Sequence, residues 1–187
     1  EHRLTVSREP SEPDERFMAR VLAFALNADD GLAFARGQAE ADEPELWRRG
    51  LDGGIGLWIE LGLPDPKRLR KASARTDEVL LYLYHGRQAS LWWEQHGAEL
   101  SALPKLRVVE IDGASVRSLA AMAAKSLELS CLVQDGQAWI DDGDTRLELE
   151  LTAESHPGLA ILVGGYLHED HAREHGSAAA AAWAFCR

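Results

Sequence analysis

The sequence predicts a mixed α/β domain, one sheet of parallel and antiparallel strands with helices on its faces. Three observations carry this prediction. Apolar runs of strand length alternate with helical periodicities from about residue 55 to residue 125. From 126 to 152, strand patterns then follow one another directly around Asp-Gly turns. Finally, 187 residues with 45% hydrophobic content are enough for one substantial core.

The elements follow in order. Leu4 and Val6 alternate with polar neighbours, as in a short half-buried strand. Ser11-Glu12-Pro13-Asp14 gives an N-cap, an early proline and an acid three residues past the cap, so a helix starts there and buries Phe17, Val21, Phe24 and Ala25. Residues 27–50 read as an acidic, loop-rich stretch with one short helix ending at Trp47. Asp52-Gly53-Gly54 is a turn, and Ile55 to Leu61 is a strand stopped by Gly62, Pro64 and Asp65; Pro66 then opens a helix that runs to about Asp77.

Glu78 to Tyr84 is a buried strand, Gln88 to Leu100 a helix, Leu106 to Ile111 a strand and Ala114 to Lys125 a helix. Ser126 to Thr152 alternates twice, around Asp135-Gly136 and Asp142-Gly143, and predicts an antiparallel meander. From Ser155 the composition changes to HPGLAILVGGYLHEDHAREHG and then an alanine run. The expected organisation is therefore one domain over 1–154 and a C-terminal tail over 155–187. The chain starts without Met and almost directly in an alternating segment, which suggests an incomplete N-terminal strand.

Composition excludes some partners. A net charge of -11, from 20 basic against 31 acidic residues, argues against a general nucleic-acid or anionic-membrane coat, so any nucleic-acid contact must be local. Two distant cysteines, Cys131 and Cys186, support neither a disulfide framework nor a cysteine-based zinc site, and a reducing cytoplasm is the expected compartment. No apolar run approaches the roughly 20 residues that span a bilayer, and EHRLTVSREP is too polar for a secretory signal.

Glu60 raises the central question, because Leu57, Trp58, Ile59 and Leu61 surround it with an apolar strand. An unpaired carboxylate there would cost several kcal/mol or take up a proton. The compensating group is a basic partner, solvent or a bound cation. Asp52 lies an even number of residues before Glu60, so a strand regular over both would put them on one face, as a hard divalent cation requires; Gly53-Gly54 can break that regularity. Lys67, Lys71 and Arg75 share one helical face, with Arg68 beside it and Arg70 close by. This face is either solvated or binds phosphate, and Lys71 can also reach back to Glu60.

Other constellations are weaker. His168, His171 and His175 have the spacing of zinc ligands on a helix, with Glu169 or Asp170 to complete a set, but a polar helix or frayed terminus is the simpler reading. Trp92, Trp93, Tyr82 and Tyr84 suit either base stacking or, more simply, the core. No serine lies in a G-x-S-x-G motif, and no glycine-rich phosphate loop is present.

WIELGLPDPKRLRKA, REPSEPDER, GLAFARG, EPELW, the Trp92-Trp93 pair and LVQDGQAWI together resemble the YaeQ family of bacterial proteins, in order and spacing, from about Arg3 to Thr152. The resemblance implies a variant of the restriction-endonuclease-like, PD-(D/E)XK nuclease fold, with the antiparallel meander at its C-terminal end and a metal site built from an Asp, a Glu and a Lys. Carried over, Asp52 is the first metal carboxylate and Glu60 the second. The lysine expected two residues later is Gly62, and Lys71 on the next helix becomes the candidate. Glu15 resembles the supporting acid of the first helix, and Lys67 and Arg68 become phosphate contacts. The implied cofactor is Mg2+ or Mn2+, the implied partner a nucleic acid in a local cleft, and the implied reaction phosphodiester hydrolysis. The alternative is a non-catalytic binding or regulatory protein that has kept the fold, which the missing lysine at Gly62 favours.

Overall fold

The structure, a computed structural model, describes residues 6, 8, 10–35, 43–135, 137–156 and 159–166, with side chains as far as residue 150. Leu4, Cys186 and the three histidines of the tail, His168, His171 and His175, lie outside the described residues. Cys131 is a free thiol.

Helix α1 (Asp14–Leu26) follows Pro13, which is extended and makes no side-chain cap; Asp14 and Glu15 instead place negative charge at the positive end of the helix dipole. Its C-terminus is closed by Asn27, whose Nδ2 donates to Ala23 O at 2.7 Å and to the Tyr82 hydroxyl at 2.9 Å. Next come two short strands, β1 (Leu32–Phe34) and β2 (Leu46–Arg49), and then β3 (Ile55–Leu61). The short helix expected up to Trp47 is not formed: Leu46 pairs with Ile59 and Trp47 with Trp58, and Leu46 becomes fully buried. Pairing with a strong central strand overrides whatever local preference these few residues have.

Helix α2 (Pro66–Arg75) is capped by Asp65, which accepts from Lys67 N at 2.8 Å, and leads into β4 (Thr76–Leu83), parallel to β3. Helix α3 (Arg87–Leu100) leads into β5 (Leu106–Ile111), parallel to β4. Helix α4 (Gly113–Ala121) is capped by Asp112, which accepts from Ala114 N at 2.8 Å. The meander follows as β6 (Ser130–Gln134), β7 (Gln137–Asp141) and β8 (Arg146–His156), with β9 (Leu159–Tyr166) after it.

Among the described residues the strands form one sheet in the order β1-β2-β3-β4-β5-β9-β8-β7-β6. This corrects the expected boundary after residue 154. β9 pairs in parallel with β5, Val109 beside Ala160, and antiparallel with β8, Glu150 beside Val163. Without it, β5 and β8 would each present a row of unpaired backbone groups in mid-sheet. The continuous apolar run LAILV is what such a doubly flanked strand requires.

Two cores fill the layers. Leu57, Ile59 and Leu61 of β3 face α1 and α4 with Met18, Leu22 and Leu119, while Trp58 faces α2 and α3 with Leu69, Ala72 and Trp93. Tyr82 and Trp93 are core residues, so the simpler reading of those aromatics holds, while Tyr84 and Trp92 are only partly buried. Because β3, β4 and β5 run parallel, their C-terminal ends share one edge of the sheet, the edge where open α/β sheets place ligands. Among the described residues no helix is long and apolar enough to cross a membrane.

Candidate active site

At this edge Glu60 is the penultimate residue of β3, and its side chain is 5% exposed. Two donors compensate it: the indole Nε1 of Trp58, on the same strand face two residues earlier, at 2.9 Å, and Nε of Arg68 at 2.7 Å. Arg68 stands in the first turn of α2, and its other end donates to the Glu43 carbonyl. Burial nevertheless raises the Glu60 carboxyl above the usual glutamate range, against the pull of Arg68 and Trp58, and the neighbouring Glu45 adds to the rise.

Glu45 is brought there by strand pairing. Its backbone N–H donates to Ile59 O at 3.0 Å, which sets residue 45 beside the Ile59–Glu60 end of β3. Its side chain takes a guanidinium from the opposite layer, Arg16 of α1. Arg16 also bonds the Tyr84 hydroxyl, and its Nε lies 3.4 Å from Glu12 Oε1. Glu12 is fully buried at its carboxylate and holds Arg20 at 2.7 Å through Oε2, while Oε1 has no hydrogen-bond partner. The result is an alternating cluster, Arg20–Glu12–Arg16–Glu45 from the α1 side and Glu60–Arg68 from the α2 side. Its two arms approach each other at Glu45 and Glu60, close enough for the Glu45 charge to act on the Glu60 carboxyl.

The residues singled out from sequence fare differently. Glu60 is buried at the C-terminal end of β3, with Arg68 as its cation. Asp52 is at the other end of β3, in the turn closed by Gly50 N to Gly54 O at 2.8 Å, where it accepts from Gly54 N at 3.0 Å. The span from Ile55 to Glu60 alone is about 16 Å at the rise of a strand. Asp52 therefore cannot share an ion with Glu60, because the residues that were to extend the strand as far as Asp52 form a turn. Lys71 is an exposed residue of α2, and the cation bonded to Glu60 is Arg68, at 2.7 Å. Glu15 is likewise exposed, and the buried acid at this helix is Glu12, three residues earlier. Lys67 is exposed at the start of α2. The residue missed from sequence is Glu45. Its signal was present in EPELW, but only the antiparallel pairing of β2 with β3 gives it meaning.

Gly62 explains why no lysine stands two residues after Glu60. Its φ is +84°, and an added Cβ would meet His85 Cε1 at 3.2 Å and the Tyr84 ring at 3.6 Å. Gly62→Ala is expected to cost about 1–2 kcal/mol for the left-handed backbone alone, read as a lowered urea midpoint. A variant as stable as the parent would show that this turn relaxes freely.

The donors present suit a hard divalent cation. Two adjacent carboxylates are the protein share of a typical Mg2+ site, with water and phosphate oxygens supplying the remainder. Among the described residues no three His, Cys, Asp or Glu side chains form a ready cage. Glu12 Oε1 accepts no hydrogen bond, and its nearest cation is Arg16 Nε at 3.4 Å.

Comparison with known proteins agrees with this arrangement of sequence blocks. The family profile described as YaeQ protein matches residues 1–151. The YaeQ proteins of Salmonella typhi and Escherichia coli K12 are each 42% identical over 154 residues, covering 82% of this chain and 85% of theirs. The crystal structure of the YaeQ protein from Xanthomonas axonopodis pv. citri superposes with a TM-score of 0.75 at 40% identity, covering 79% of this chain and 83% of that one. The YaeQ protein from Pseudomonas syringae gives 0.73 at 30% identity, over 81% and 85%. The chain belongs to the YaeQ family.

Proposed function

We propose that this protein is a divalent-metal-dependent nuclease of the restriction-endonuclease-like, PD-(D/E)XK type, with Glu45 and Glu60 as the carboxylate pair. The observation that carries the reading is the placement of Glu45 across from the Glu60 end of β3, near enough for its charge to act on Glu60, each acid with its own guanidinium. A mixed sheet with helices on both faces supports the fold assignment.

Mg2+ or Mn2+ bound between Glu45 and Glu60 would neutralise the pair and polarise a phosphoryl oxygen. The chain's own residues do the rest. Arg68 takes the part of the absent lysine, and Arg16 and Arg68 present planar, always-charged donors suited to a phosphate once the carboxylates engage a cation. Trp58 fixes the orientation of Glu60 through its indole N–H. With a net charge of -11, attraction to nucleic acid is confined to this edge, and affinity should fall steeply with salt.

One observation favours a non-catalytic binding role instead: Arg16 and Arg68 already neutralise both acids, as in a fixed structural network. The test is Mn2+- and Mg2+-dependent cleavage of labelled single- and double-stranded DNA and RNA at low salt. Cleavage by the wild-type protein is expected, and Asp52→Ala and Lys71→Ala should retain it within about threefold, since exposed substitutions shift free energies by about 0.5 kcal/mol or less. No cleavage of any substrate, with Mn2+ leaving the protein's NMR spectrum unchanged, would transfer the assignment to the binding role.

A further inference from the structure

At the same edge of the sheet, just past the end of β3, stands an imidazole to which the site as described gives no task. His85 follows Tyr84 at the end of β4, and its ring stacks on Tyr84 at 4.1 Å between centroids, tilted by 31°. Tyr84 is itself tethered to Arg16, which holds Glu45, so the imidazole is fixed relative to the acids through one stacked ring and two polar contacts. His85 Cε1 lies 3.2 Å from the point where a Cβ on Gly62 would stand. Residue 62 is only two strand positions past Glu60, about 7 Å along the backbone. Glycine at 62 thus lets the ring approach the backbone just past the end of β3.

We propose that His85 is a catalytic residue of the hydrolysis, the base that accepts the proton of the attacking water. The inference rests on the reading of Glu45 and Glu60 as the metal-binding pair. In the step, the water oxygen forms a bond to phosphorus and its proton passes to the free imidazole nitrogen. The bond from phosphorus to the leaving oxygen breaks, and that oxygen leaves protonated by solvent. The imidazolium then returns its proton to solvent, so the cycle consumes one water per phosphodiester.

The surroundings suit a base. His85 is exposed enough for water to reach it, and partial burial together with the Arg16 charge keeps its pKa below the usual histidine value, so the ring is neutral at pH 7. Arg16 from α1 and the Tyr84 hydroxyl are the ionisable groups facing it, with Glu45 behind Arg16.

Two measurements test this on the full chain. The first is the pH–rate profile of Mn2+-dependent cleavage for wild type, His85→Gln and His85→Ala. Wild type should lose activity as pH falls through a value below the ordinary histidine pKa. Both variants should be slower by about 100-fold or more and lose that limb, and added imidazole should recover part of the rate of His85→Ala. The second follows the His85 ring protons by NMR, assigned by their absence in His85→Gln, during Mn2+ titration of wild type and Glu60→Gln. Broadening in wild type but not in Glu60→Gln places His85 beside the pair. If the broadening occurs and the variants cleave with unchanged rate and profile, the role of His85 is overturned while the metal site stands. If neither broadening nor cleavage occurs, the metal reading fails, and the proposal for His85 fails with it.

Discussion

Glu60→Gln is expected to reduce metal-dependent cleavage by about 1000-fold or more, because it removes one of the two carboxylates proposed to hold the cation. Glutamine keeps the shape and can still accept from Trp58 and Arg68, so a loss of this size would report charge and not packing. Glu45→Gln should act alike, and the double variant should be little worse than either, as for residues that work as a unit. Isothermal titration with Mn2+ provides a readout independent of turnover. Retained cleavage in Glu60→Gln would remove the pair from the chemistry.

The same variant carries a stability signature with a defined sign. Burial, opposed by Arg68 and Trp58, raises the folded pKa of Glu60 above its unfolded value. Between these two values the folded protein binds more protons than the unfolded one, so this group's contribution is fully present below the unfolded pKa and is lost as pH rises through the folded pKa. Glu60→Gln should flatten that part of the stability curve and be no less stable than wild type at neutral pH. Such a result marks Glu60 as a residue held at a cost for function. A marked loss of stability at pH 7 would instead favour the structural network.

Glu12 is expected to behave in the opposite way. Its carboxylate is wholly buried between Arg20 and Arg16. Glu12→Ala leaves a buried guanidinium uncompensated and should cost about 3–5 kcal/mol, lowering the thermal midpoint by on the order of 10 °C. Pairing the change with Arg20→Met should recover much of the loss, since a well-packed apolar replacement of a buried ion pair is often neutral or stabilising. A shift of only a degree or two in Glu12→Ala would show that water enters the cluster and that its charges are not truly buried.

Local signals made most of the fold legible. Apolar runs of strand length mark β3, β4 and β5, alternation around Asp-Gly turns marks the meander, and Asp65 with Pro66 marks the start of α2 within a residue. What failed depended on partners distant in the chain. β2 is too short to declare itself and exists because β3 accepts it. β9 looked like an appendage, because nothing within 155–187 announces that β5 and β8 both lack a neighbour.

The site divides along the same line. Glu60 was identifiable because an acid amid Leu57, Trp58, Ile59 and Leu61 needs compensation wherever the strand lies. Asp52 was chosen by parity along one strand, which holds only while the backbone stays extended, and a turn at Gly53-Gly54 ended it. The sequence by itself determined the family, the mixed α/β class, the local acidity of the site and the basic helix that follows it, since these depend on composition and on spacings within a single element. Tertiary structure alone decided that Glu45 lies across from the Glu60 end of β3, that Arg68 bonds Glu60, and that Glu12 and not Glu15 is the buried acid. Each of these is a contact across strands or layers, set by pairing register and by which face of a helix is buried, and a linear spacing carries neither.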